Sequence, residues 1–171
     1  MRKKTLFIYC ITLMTICQGL IGVTAEAGAI SLTKAETITE RCTAVQNQLR
    51  VVQRDDTKTR FYLGRYYETI LNRFITPLNM RLTESNMMSE GFMGVQSDFA
   101  KARTNFTIDF IEYQRGMDDL VVADCKTEPE NFYAQLEKVR DRRAKVADDV
   151  MKLRNLMDVH RGLVVGLMEE V

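Results

Sequence analysis

The sequence of 171 residues has no tryptophan, two prolines, one histidine and four cysteines, and its 24 Lys plus Arg almost cancel its 23 Asp plus Glu. Each scarcity excludes something. With so few prolines and nine glycines, no stretch reads as a linker that would divide the chain, and none is low in complexity. A net charge of +1 argues against a nucleic-acid partner, which needs a basic excess over a face or segment. His160 is the only histidine, so no nucleophile and base pair recurs, and no neighbour stands at metal-ligand spacing. There is no glycine-rich phosphate loop and no Cys-x-x-Cys-His haem attachment. No segment alternates apolar and polar residues as a half-buried strand does. The chain therefore reads as non-enzymatic, with no cofactor and no metal.

What is present begins with an export signal. Arg2, Lys3 and Lys4 precede a mostly apolar run from Leu6 to Ile21, and Ala25, Ala27 and Ala29 supply the small residues a signal peptidase accepts. The cut is expected after Ala27 or Ala29, with residues 1–27 taken as the signal and 28–171 as one domain. The competing reading is an uncleaved membrane anchor, because a run of about 18 apolar residues can span a bilayer. Thr12, Thr15, Gln18, Gly19 and Gly22 dilute this run. A lipid anchor fits less well, since Met14, Thr15 and Ile16 put no small residue ahead of Cys17.

Cys10 and Cys17 lie in the signal, which leaves Cys42 and Cys125, and a pair in an exported protein reads as one disulfide. Closing a loop of that length contributes on the order of 4 kcal/mol in the chain-entropy model. Cutting after Ala27 removes Arg2, Lys3, Lys4 and Glu26, which takes the charged residues from 24 and 23 to 21 cations and 22 anions.

Three segments carry apolar residues at alternating steps of three and four. The first seam is Ile38, Cys42, Val45, Leu49, Val52, Leu63, Tyr66 and Ile70, interrupted by Asp56 and Thr59. The second is Phe92, Val95, Phe99, Ala102, Phe106, Phe110, Tyr113, Met117 and Leu120. The third is Phe132, Leu136, Val139, Val146, Val150, Leu153, Met157, Val164 and Leu167. Capping boxes are expected at Thr33 with Glu36 and at Thr127 with Glu130, and Pro129 suits a first turn. A heptad repeat held this long predicts an all-α, elongated, antiparallel three-helix bundle of coiled-coil type, stapled by one disulfide. Helices of about 40 residues make a rod roughly 60 Å long.

The disulfide sets the register. If Cys42 faces Cys125, facing positions of the first hairpin sum to about 167, and its turn falls near Thr83 and Glu84. Ser85, Asn86, Ser89, Glu90 and Gly91 cluster there, and Pro77 is expected to kink or stop the first helix. Facing positions of the second hairpin sum to about 252. Asp56, Asp109 and Arg143 then share one level, and are expected to form a buried polar layer in which one guanidinium serves two carboxylates and fixes alignment.

Phe61, Tyr62, Tyr66 and Tyr67 surround Gly64 and read as core beside a glycine that admits a neighbouring backbone. Gly162 and Gly166 read likewise as a close helix contact. Asn105, Phe106 and Thr107 form a glycosylation sequon inside a predicted helix. The distal pole is different. It gathers Met80, Met87, Met88, Phe92 and Met93 with Leu163, Val164, Leu167 and Met168, and flexible thioethers suit a surface that adapts to a partner. Thioethers alone are an unusual ligand set, so no metal is assigned to them.

Arg41-Cys42, Leu63-Gly64-Arg65-Tyr66-Tyr67-Glu68 and Pro77-Leu78-Asn79-Met80-Arg81-Leu82 resemble segments of small exported helical proteins of Saccharibacteria-like candidate-phylum bacteria. The resemblance covers most of the mature chain and implies a structural scaffold, with no catalytic or binding residues. In architecture alone the chain is also similar to minor pilus proteins of type IV secretion systems and to helical periplasmic chaperones. The expected role is an interaction or structural module of the cell envelope or exterior, contacting another envelope or extracellular protein, with membrane contact only through an uncleaved signal and a homo-oligomer as a further option. The alternative is a helical chaperone or carrier of apolar ligands.

Overall fold

The computed structural model describes residues 31–87 and 90–170; the signal assigned to 1–27 and Met88 lie outside the described residues. Helix α1 spans Leu32–Ile70, a π turn Leu71–Ile75, α2 Thr76–Glu84, α3 Glu90–Val122 and α4 Pro129–Glu170. Helix α1, the π turn and α2 follow one another without a break, so three antiparallel arms build the expected all-α bundle. No strand occurs among the described residues. Cys42 and Cys125 are bonded, with their Cα atoms 5.5 Å apart, and this staple closes the proximal pole.

Helix α3 is the hub. All nine residues of its seam, from Phe92 to Leu120, are buried. Helix α4 answers with a strict seven-residue repeat, Phe132, Val139, Val146 and Leu153, also buried. That period keeps one stripe of α4 facing α3 as the two helices wind about each other. Gly116 helps them close: a Cβ there would stand 2.5 Å from Arg142 Nη1 and 3.1 Å from Val139 Cγ2.

Helix α1 lies on this pair more loosely. Only Cys42 and Tyr67 are fully buried on it, while Ile38, Val45, Leu49, Val52, Leu63 and Ile70 are half-buried against the core. Glutamines supply much of its grip on α3. Gln46 Nε2 donates to the Ala123 carbonyl at 2.9 Å, Gln53 Nε2 to Asp118 Oδ1 at 2.5 Å, and Gln114 Nε2 to Thr57 Oγ1 at 3.0 Å. Facing positions run from Cys42 with Cys125 to Asn79 with Phe92, whose carbonyl accepts from Asn79 Nδ2 at 3.0 Å. Their numbers sum to 167 and 171, close to the expected register.

Three local expectations need correction. Pro77 neither stops nor ends the helix. Its ring would press on the carbonyl a turn earlier, and the backbone answers by widening into the π turn, where the Thr76 N–H donates to the Leu71 carbonyl. Neither capping box forms. Ser31 precedes the first helical residue without a side-chain cap bond, and Thr127 donates its N–H and hydroxyl back to Asp124. Asp124 thus organises the second turn, also accepting from the Lys126 N–H at 2.8 Å; these bonds hold its carboxyl below the usual range. The first turn is closed by Asn86 at φ 54. Met87 N–H donates to the Leu82 carbonyl and Asn86 N–H to that of Thr83, at 2.8 and 3.1 Å, which is a Schellman ending with asparagine in the left-handed position.

Candidate interaction surface

The distal pole is built by the end of α2, its turn, the start of α3 and the end of α4. Phe92 and His160 fix the level, their rings meeting edge to face with centroids 6.0 Å apart. Around this contact the methionines are open to solvent: Met80 by 59%, Met87 by 42%, Met93 by 53% and Met168 by 66%. Phe92 is 3% exposed. It belongs to the core and not to the surface, a correction that follows from its place on the α3 seam, where the ring has α4 above it. Leu163 and Leu167, on the last turns of α4, are half-buried.

Asp56, Asp109 and Arg143 do not form one shared layer. Arg143 grips Asp56 alone, Nε to Oδ2 at 2.9 Å and Nη2 to Oδ1 at 3.0 Å. The buried Tyr113 hydroxyl donates to the same carboxylate at 2.5 Å, and burial with this bond holds the phenol protonated far above its usual range. Asp109 takes Lys145 instead, Nζ to Oδ1 at 2.8 Å. The reason is helical phase. Asp56 reaches the α1 side of α4 and Asp109 its α3 side, so two cations two residues apart serve them separately. Asp149 stands beside Asp109, and its carboxyl is pushed up to about 6 by burial and by Asp109, with Lys145 and Lys152 acting against the rise.

The structure also opens a seam that the sequence did not disclose. Between α1 and α4, Asp56, Leu63, Tyr113, Arg143, Ala147 and Val150 surround a cleft of about 360 Å³. Further toward the distal pole, Tyr66, Phe74, Arg154, Met157 and His160 line another of about 340 Å³. Tyr66 is exposed and Tyr67 buried, and within the π turn Ile75 is buried and Phe74 exposed. A helix of 3.6 residues per turn drifts off a heptad seam, and the π turn shifts the phase again. Phe61 and Tyr62 are exposed too, so of the aromatic group only Tyr67 is core, set edge to face against Phe99 and Phe106.

A Cβ at Gly64, Gly162 or Gly166 would meet nothing within 4 Å, so none of the three admits a neighbouring backbone. His160 Nε2 is enclosed without a hydrogen-bond partner, and burial pushes its pKa down. No group of three or more His, Cys, Asp or Glu that could hold a metal occurs among the described residues. No helix among them is long and apolar enough to cross a membrane. Compared with known proteins, the chain matches no family model, no curated protein and no solved structure.

Proposed function

We propose that this chain is an exported, non-enzymatic helical module that works outside the cytoplasm by holding another envelope or extracellular protein at its distal pole. A disulfide closing one pole suits an oxidising compartment, in agreement with the export signal. The observation that carries the binding reading is the exposure of Met80, Met87, Met93 and Met168 on the pole opposite the staple. Thioether chains that a core would bury lie in water there, and such side chains repack readily against a partner.

The test is the pair Met80→Gln and Met93→Gln. Exposed side chains contribute little to the fold, so circular dichroism should show helicity and melting nearly unchanged while capture of a partner from native envelope weakens. A clear fall in melting temperature with capture preserved returns these residues to a structural role.

The carrier reading has one observation in its favour, the mostly apolar cleft on the α1–α4 seam beside Leu63, Ala147 and Val150. Binding of a hydrophobic dye at fixed stoichiometry, lost on Ala147→Phe, supports a carrier. Dye uptake removed by the methionine pair places the apolar surface at the pole.

A further inference from the structure

We propose that the cleft between α1 and α3, halfway along the rod, binds the phosphate group of a phosphate monoester. The cleft measures about 460 Å³, within the size range of small-ligand sites. Its charged walls are Arg60 and Arg65 from α1, Arg103 from α3, and a single carboxylate, Glu68. Three cations against one anion leave a net charge of two positive, the complement of a monoester dianion. This concentration stands in a chain whose charges otherwise nearly cancel.

Two of the three guanidinium groups are held by neighbours, and none of the three is spent in an ion pair among the described residues. Arg60 donates to Gln114 Oε1 and lies 5.8 Å from the centre of the Phe110 ring. Arg65 lies 5.6 Å from the centre of the Phe61 ring, and Arg103 is half-buried. None of the three forms an ion pair among the described residues, whereas Asp56 and Asp109 each take a cation. An arginine fixed against a ring and an amide loses little freedom on binding, and its remaining N–H groups match the spacing of phosphate oxygens.

Two threonines on the same walls sharpen the assignment. Thr57 donates its hydroxyl to the Gln53 carbonyl and Thr107 to that of Arg103, so recognition of an anion falls to the guanidinium groups. Gly64 completes the shape. Glycine inside a helix costs about 1 kcal/mol relative to alanine, and here no packed neighbour requires it, since a Cβ would stand in open space. Its missing side chain deepens the cleft beside Phe61, whose exposed ring offers a face for the organic part of the ester.

The test uses the mature, oxidised protein and titrates phenyl phosphate by calorimetry, with vesicles of phosphatidylcholine carrying or lacking phosphatidic acid as a second arm. Saturable one-to-one binding of phenyl phosphate is expected. Arg103→Gln should weaken it about tenfold or more, the loss of one charge-assisted contact. Gly64→Leu should abolish it by filling the cleft while raising the melting temperature. Cosedimentation that needs phosphatidic acid and disappears in Gly64→Leu supports the same chemistry presented by a lipid headgroup, and binding in the soluble arm alone points to a free monoester. Absence of binding in both arms overturns the proposal. So does binding that Arg103→Gln and Gly64→Leu leave unchanged, because it would belong to diffuse surface charge.

Discussion

At the scale of single residues, ionisable groups decide how the helices are held at mid-length. Asp149 has its carboxyl raised from the ordinary 3.8 to about 6, burial first and the Asp109 carboxylate beside it second. A raised carboxyl binds its proton more tightly in the folded state. Its stabilising effect is complete below the unfolded value and is lost as pH climbs from about 4 to 6. His160 acts oppositely: burial holds the ring neutral, so stability falls as pH drops below the ordinary 6.5. Asp149→Asn should therefore remove the loss of stability as pH rises from about 4 to 6 and leave the one His160 causes as pH falls, gaining about 1 kcal/mol at neutral pH once solvent screening is allowed for. Urea titrations across this range check it, and an unchanged profile would separate Asp149 from Asp109. The division of the polar layer is open to a double-mutant cycle. Arg143→Leu with Asp56→Asn should show coupling of about 1 kcal/mol, and Arg143→Leu with Asp109→Asn none, since independent sites add.

At the scale of elements, the three arms are not equivalent. Helix α3 buries a complete seam, α4 a strict heptad stripe, and α1 packs mostly half-buried residues and glutamines. Glycine reports the difference. Gly64→Ala on α1 places a methyl in open space and should stabilise by about 0.5–1 kcal/mol through helix propensity. Gly116→Ala on α3 presses on Val139 and on the Arg142 guanidinium, which donates to the Glu112 carbonyl at 3.2 Å. It should gain less than Gly64→Ala or lose outright, as thermal melts of the two variants would show; an equal gain would mean that α3 and α4 yield without strain.

At the scale of the whole molecule, the disulfide ties the first arm to the α3–α4 hairpin across a separation of 83 residues. Its two sulfurs sit where α1 is otherwise held by half-buried contacts and the Gln46 bond to Ala123. Replacing both cysteines by serine should lower stability by up to about 4 kcal/mol. The loss should be concentrated at the proximal pole. Hydrogen exchange would show residues near Val45 opening before those near Tyr67, and uniform exchange along α1 would show that the staple does not localise the arm.

Much of this architecture was legible in the sequence because it depends on periodicity and on one covalent bond. Three apolar seams with short turns between them leave an antiparallel bundle as the way to bury all three stripes, and the bond between Cys42 and Cys125 sets their alignment to within a few residues. Side-chain partnership was not legible in the same way. Whether Arg143 serves Asp56 or Asp109 depends on which flank of α4 it occupies, and a heptad pattern assigns residues to a seam without saying which neighbour lies to the left or right of it. The drift that exposes Tyr66 and buries Tyr67, and the π turn that buries Ile75 in place of Phe74, build up over several turns of helix, beyond what local spacing records. Gly64 makes the same point, since its residue type signals close packing, while only its neighbours in space reveal an open cleft between arginines. Periodicity along the chain determined which elements form and how they align; helical phase, set by packing in three dimensions, decided which side chains meet.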